Sequence, residues 1–146
     1  MSSVKLEEAC ERMNRLGAES RPFFFMFDFE LKKPVVHRLD QLPPGILIET
    51  PGYSNSSGEY GHPEQEVKLD IEPVDFNIYK KAFNNVISNI SRGNSYLLNL
   101  TFPSTVHTRA SLEEIFHASK AKYRLLVKSK FVVFSPEIFV KIDNEG

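Results

Sequence analysis

The sequence predicts an α+β fold: antiparallel strands in a sheet or sandwich, with helices packed outside it. Three observations carry that expectation. A capped, amphipathic helical stretch runs from Asp75 and feeds an apolar run that ends at Pro103. Short β-favouring segments rich in Phe, Val and Ile recur on both sides of it. Turn residues separate those segments at hairpin distances rather than at the spacing of parallel crossovers.

In chain order, Ser3 is placed to cap a first helix carrying Leu6, Ala9, Cys10, Met13 and Leu16 on one face, with Gly17 as its stop. Cys10 is expected to point inward as a small hydrophobe, because no basic neighbour activates it. Arg21 to Glu30 is dense in phenylalanine and reads as a strand buried on both faces at its start. Phe27, Phe29 and Leu31 then alternate with Asp28 and Glu30, so one face is expected to meet water. Lys32-Lys33 makes a turn, and Val35 to Leu39 returns as the hairpin partner, with Pro34 at an edge. Ile46 to Glu49 is a further strand. Residues 51–66 read as a surface loop anchored by Tyr53 and Tyr60, and their glycines do not follow a phosphate-cradling pattern. Val67 to Glu72 alternates as a half-exposed strand.

Asp75 then caps a helix whose apolar side is Phe76, Tyr79, Phe83, Val86, Ile87 and Ile90, and Gly93 ends it. Ser95 to Phe102 follows as a largely buried strand. Ser111 to Glu114 is a capping-box signature opening a short helix to about Ser119. Strands are expected at Lys122 to Lys128, Phe131 to Phe134 and Ile138 to Ile142, the first two joined by a tight Lys-Ser-Lys turn. The chain is read as one domain or the N-terminal part of one, with 1–73 as its N-terminal portion and 74–146 as a second.

A formal net charge of −1 with no lysine or arginine cluster argues against nucleic acid. No run approaches ~18 apolar residues, so no membrane span is expected, and the start has no signal-peptide character. The single cysteine excludes an internal disulfide, and the cytoplasm is the default location. His37, His62, His107 and His117 show no metal-ligand spacing, and Ser54 to Ser57 has no nucleophile-elbow context. Within the apolar run, Tyr96 and Asn99 point to opposite faces of a strand. The ordinary expectation buries Tyr96 with its hydroxyl satisfied and sets Asn99 to bond backbone. Glu137, after a proline and among Phe134, Ile138 and Phe139, is either an exposed or paired carboxylate or a buried proton donor.

Two motifs give the chain a family likeness. Ile90-Ser-Arg-Gly-Asn-Ser-Tyr-Leu-Leu-Asn-Leu-Thr101 resembles the segment that opens the chorismate-binding region of component I enzymes, the synthase subunits for aminodeoxychorismate and anthranilate. Phe134-Ser-Pro-Glu-Ile-Phe139 resembles that family's Ser-Pro-Glu-x-Phe motif. The likeness covers the C-terminal half, more weakly Arg21 to Glu30. It implies the chorismate-utilising fold and makes Glu137 the general acid or base at the ring's departing or entering oxygen. It also implies that Tyr96, Asn99 and Ser135 lie near substrate, or near an effector pocket found in some members.

The family's Pro-x-Lys-Gly-Thr motif, its Mg²⁺-binding glutamates and its carboxylate-binding segments do not occur in these residues. The resemblance therefore implies the N-terminal part of a component I subunit, inactive alone and completed by a missing C-terminal half. In the complete enzyme it implies Mg²⁺, chorismate as substrate and a glutamine amidotransferase partner, component II. No metal is expected on this chain alone. The short region before the central helix favours aminodeoxychorismate over anthranilate. The alternative from another class is a non-catalytic binding or assembly module. An apolar strand left at an edge is expected to drive self-association.

Overall fold

A computed structural model describes residues 5–56 and 66–134, and these form helices and antiparallel sheets, an α+β architecture. The chain divides into two compact units. Unit 1 takes the described residues 5–56 and 122–134, and unit 2 takes 66–121. Unit 2 is thus an excursion between two neighbouring strands of unit 1. Among the described residues the strands form three sheets, where a single sheet or sandwich was expected.

Unit 1 opens with α1 (Leu6–Ala18), whose first turn gains from Glu7 and Glu8 at its positive end. Ser3 lies outside the described residues, and the helix starts after Lys5, whose amide donates to the Glu8 carboxylate at 3.3 Å. The inward stripe is Ala9, Met13 and Leu16, which pack with Val36, Phe23 and Phe27. That stripe is one residue wide. Cys10 sits a hundred degrees round the helix from Ala9 and is exposed, contrary to the inward position expected. Gly17 lies inside the helix rather than stopping it. The turn comes at Ser20, with φ 51°, where Arg21 N–H reaches the Leu16 carbonyl at 2.9 Å.

The aromatic run makes only a short strand, β1 (Phe23–Met26), antiparallel to β2 (Val35–Arg38). The hairpin is as read, but the strand is not buried on both faces and ends early. Asp28 turns the chain by accepting the Lys33 amide at 2.6 Å, and Leu31 adopts φ 57°. Phe29 is consequently left fully exposed instead of alternating into a core.

The larger sheet has the order β4-β3-β7-β8 from β3 (Ile46–Thr50), β4 (Tyr53–Ser54), β7 (Arg124–Val127) and β8 (Phe131–Phe134). Ile46, Leu126 and Val127 are buried here, as an apolar run between two flanking strands requires. The pairing of β3 with β7 joins segments far apart in sequence, with Ile46 opposite Val127 and Glu49 opposite Arg124. The β7–β8 turn falls on Lys128-Ser-Lys130 as expected, with Ser129 at φ 58°. The start of the expected surface loop is instead ordered pairing. Tyr53 lies opposite Thr50 and donates its hydroxyl to the Leu39 carbonyl at 3.1 Å, the anchor role expected of it. The Asn55 side chain accepts the Ile48 amide at 2.7 Å and donates to the Ile46 carbonyl at 2.8 Å. Tyr60 and the strand expected at Ile138 to Ile142 lie outside the described residues.

Unit 2 pairs β5 (Asp70–Glu72) with β6 (Thr105–His107), a strand that the residues after Pro103 did not announce. Between them stands α2 (Phe76–Ser91), capped as expected by Asp75, which accepts the Asn77 and Ile78 amides at 2.9 and 3.2 Å. Gly93 at φ 76° closes it. The capping box at α3 (Leu112–Ala118) is present: Ser111 N–H donates to Glu114 at 2.7 Å, and Glu114 N–H donates back to Ser111 Oγ at 3.2 Å. The Ser111 amide, and after it the Ser111 hydroxyl at 2.8 Å, donate to the Glu114 carboxylate and hold it below its ordinary pKa. Phe116 on α3 is fully buried, whereas no residue of α2 is.

Candidate functional site

The apolar segment 95–102, expected as a buried strand, has no strand partner among the described residues. Its backbone is irregular, with Ser95 Oγ bonded to the Leu97 carbonyl at 2.9 Å. Tyr96 is 95% exposed and Asn99 is also exposed, so neither makes the buried contacts expected of it. The reason is physical: an apolar run becomes a strand only when flanking strands satisfy its amides and carbonyls. Without them local bonding prevails.

Ser135 and Glu137 lie outside the described residues, but the start of their motif is placed. Phe134 ends β8, directly opposite Arg124 on β7. The Ser-Pro-Glu sequence follows Phe134 directly in the chain. Beside that point is a feature the sequence reading missed. Arg124 and Glu49, register partners on β7 and β3, form an ion pair with side chains only 14% and 33% exposed. Ser56 Oγ adds a hydrogen bond to the same carboxylate at 3.4 Å. A carboxylate closing the apolar run Ile46-Leu47-Ile48 was the one available signal, since a charge on a half-buried strand needs a partner.

Among the described residues each unit carries a groove of its own. One in unit 1, about 450 Å³, is lined by Arg21, Arg38, Leu39, Asp40 and Tyr53, with Arg38 ion-paired to Asp40. The other, in unit 2, is an open groove of about 820 Å³ lined by Lys68, Asp70, His107, Arg109 and Glu114. Near it His107 Nε2 lies 2.7 Å from Glu72 Oε1 across the β5–β6 pair. Neither groove includes Tyr96 or Asn99. In unit 1, His37 is held below its ordinary pKa, first by burial and then by the nearby charge of Arg12. Among the described residues no group of three or more His, Cys, Asp or Glu side chains is placed to hold a metal ion. Nor is any described helix long and apolar enough to cross a membrane.

Comparison with known proteins fixes the family. The family described as chorismate binding enzyme matches residues 10–146, reaching back into α1 and well beyond the two motifs. An uncharacterized PabA-like protein of Haemophilus influenzae (strain ATCC 51907 / DSM 11121 / KW20 / Rd) is 36% identical over 147 residues, covering 100% of this chain and 44% of that protein. An uncharacterized PabA-like protein of Pasteurella multocida (strain Pm70) is 34% identical over 142 residues, 97% of this chain and 44% of its own length. The chain thus spans less than half the length of these curated relatives. No solved structure matches it. With both motifs inside the matched span, the chain belongs to the chorismate binding enzyme family.

Proposed function

We propose that this chain forms the N-terminal part of a chorismate-aminating synthase subunit, component I of the aminodeoxychorismate route to 4-aminobenzoate. The observation that carries the reading is the continuous family match over residues 10–146, which takes in both the Arg92-Gly93 segment and the Ser-Pro-Glu motif. The relatives carry PabA-like names, which accord with the family without choosing between the aminodeoxychorismate and anthranilate branches. The complete protein would adopt the chorismate-utilising fold, use Mg²⁺ and take ammonia from a glutamine-hydrolysing component II partner. Ser135, Tyr96 and Asn99 would lie near the substrate once the site is assembled.

Glu137 is assigned the proton transfer. As an acid it gives its proton to the departing ring oxygen, which leaves as water while ammonia supplies the new nitrogen. This requires a carboxyl that holds its proton near neutral pH, a state favoured by apolar surroundings. Phe134 on one side and Ile138-Phe139 on the other supply such neighbours in sequence.

The test replaces the matched segment of the Haemophilus influenzae relative with this chain and measures chorismate amination with ammonium and Mg²⁺. Glu137→Gln keeps the size and removes the proton, and it is expected to lower turnover by ~10²–10⁴ with chorismate binding nearly intact. Turnover near that of the parent would return Glu137 to a structural role. Anthranilate as product would overturn the branch assigned here. Turnover by the 146-residue chain alone would overturn its reading as one part of a larger catalytic unit.

A further inference from the structure

In unit 1 three segments separated in sequence close on one groove. The Arg21 amide donates to the Leu16 carbonyl at 2.9 Å, which folds the chain back at the end of α1. Leu39 N–H donates to the Pro22 carbonyl at 3.1 Å, and the Tyr53 hydroxyl donates to the Leu39 carbonyl at 3.1 Å. These bonds fix Pro22, Leu39 and Tyr53 as the apolar part of the lining of the 450 Å³ groove. The phenol tip is committed to Leu39, so the ring is what Tyr53 offers an occupant.

The charges at the groove are not balanced. Arg38 donates through Nε to one oxygen of Asp40 at 2.9 Å and through Nη2 to the other, so that pair is neutral as a unit. The Arg21 side chain has no hydrogen-bond or ion-pair partner among the described residues. The lining therefore carries one uncompensated positive charge, on a planar fork that matches a carboxylate in shape as well as in sign. A dianion would lack a second free cation, because Asp40 already holds Arg38. A small aliphatic acid would use the fork and leave the apolar lining wet. Apolar walls with one placed charge are the pattern of a small-molecule site, and a flat ring gains further from stacking on a phenol.

We propose that this groove binds a small aromatic monocarboxylate, its ring against Pro22, Leu39 and Tyr53 and its carboxylate on Arg21. The proposal rests on unit 1 alone and not on the reaction or the role given to Glu137. Tyr96 and Asn99, assigned above to the substrate, belong to unit 2.

The probe is benzoate, titrated into the 146-residue chain and followed by amide NMR shifts. Shifts are expected at Leu39, Asp40 and Tyr53, saturating with a Kd of about 1 mM or tighter. Acetate has the charge without the ring, and aniline has the ring without the charge. Each is expected to bind at least roughly 10-fold more weakly than benzoate. Arg21→Met should weaken benzoate binding by roughly 10- to 100-fold, the loss of a charge-assisted bond. Arg21→Lys keeps the charge and loses the fork, so its affinity should fall between the two. Lys81→Met removes an exposed cation from α2 and should leave the affinity unchanged. Arg21 is exposed and its backbone bond to Leu16 does not involve the side chain, and circular dichroism checks that the variants keep their helices. Four results would each overturn the proposal: no saturation by about 20 mM benzoate, shifts confined to Tyr96 and Asn99, acetate or aniline binding as tightly as benzoate, or parental affinity in Arg21→Met. Turnover is not read, so failure here and failure of the catalytic assignment are separate outcomes.

Discussion

Two stretches of this chain have the same apolar character and opposite fates. Ile46-Leu47-Ile48 in unit 1 and Tyr96-Leu97-Leu98 in unit 2 are both short β-favouring runs. The first lies between β4 and β7, and Ile46 is 1% exposed. The second pairs with nothing among the described residues and is largely open to water. The difference teaches that a strand is a property of its neighbours. Composition makes a segment fit for a sheet, but hydrogen-bonding partners on its edges decide whether it enters one. Unit 1 has those partners because the chain returns, after the whole of unit 2, to lay β7 beside β3.

The largest expected effect tests this contrast directly. Leu126→Ala removes a side chain that is 1% exposed from β7 and should cost about 2–5 kcal/mol. Leu97→Ala removes the same atoms from an exposed site and should change stability by less than about 0.5 kcal/mol. Urea denaturation of the two variants provides the comparison. Equal losses would mean that the two runs are packed alike and that the contrast is wrong.

The same contrast explains what was legible in the sequence. Elements closed by local chemistry were read well: α2 from its Asp75 cap to Gly93, α3 from the Ser111–Glu114 box, and the β1–β2 and β7–β8 hairpins from their turns. Misreadings came where a distant or competing partner decides the outcome. Asp28 seizes the Lys33 amide and ends β1 before Phe29, which no alternation pattern reveals. Cys10 and Leu6 belong to the helical stripe by spacing, but only Ala9, Met13 and Leu16 meet Val36 and its neighbours. For the candidate site, the motifs were legible as strings, whereas Tyr96 and Asn99 are not gathered into a pocket. The Glu49–Arg124 pair went unseen because its members are 75 positions apart, and only the β3–β7 register brings them together.

That ion pair gives the next effect in size. Arg124→Met keeps the apolar stem and leaves the Glu49 carboxylate without its guanidinium on a half-buried strand. A loss of about 1–3 kcal/mol is expected, the cost of leaving such a group without its partner. In unit 2 the exposed pair His107–Glu72 also bridges two strands, diagonally rather than in register, but lies in water, and His107→Gln should cost less than about 1 kcal/mol. A larger loss at His107 than at Arg124 would reverse the ranking of the two units.

Acid should weaken unit 1 through His37. Its folded pKa lies below the ordinary value of 6.5, so between those two values the unfolded chain binds more protons than the folded one. Stability therefore rises with pH through that window. It is fully present above 6.5 and falls as His37 is protonated. Urea midpoints taken between about pH 5.5 and 7.5 should slope upward, and His37→Gln should flatten the slope. An unchanged slope in that variant would place the pH dependence elsewhere.

The smallest effect is a reciprocal swap at the ends of the two long helices. Both close with the same pair of bonds. After α1, Ser20 N–H donates to the Gly17 carbonyl and Arg21 N–H to that of Leu16. After α2, Gly93 N–H donates to the Ile90 carbonyl and Asn94 N–H to that of Asn89. The turning residue has a left-handed backbone in each case, φ 51° at Ser20 and 76° at Gly93. That conformation costs a side-chain-bearing residue roughly 1 kcal/mol that glycine avoids. A Cβ added at Gly93 would meet no atom within 4 Å, so Gly93→Ser isolates the backbone term and should cost about 1 kcal/mol. Ser20→Gly should gain less, about 0.5 kcal/mol, because glycine also loosens the unfolded chain. The two changes must have opposite signs if both helix ends rest on the same geometry. A loss at Ser20→Gly would mean that the serine side chain contributes more than its backbone strain removes.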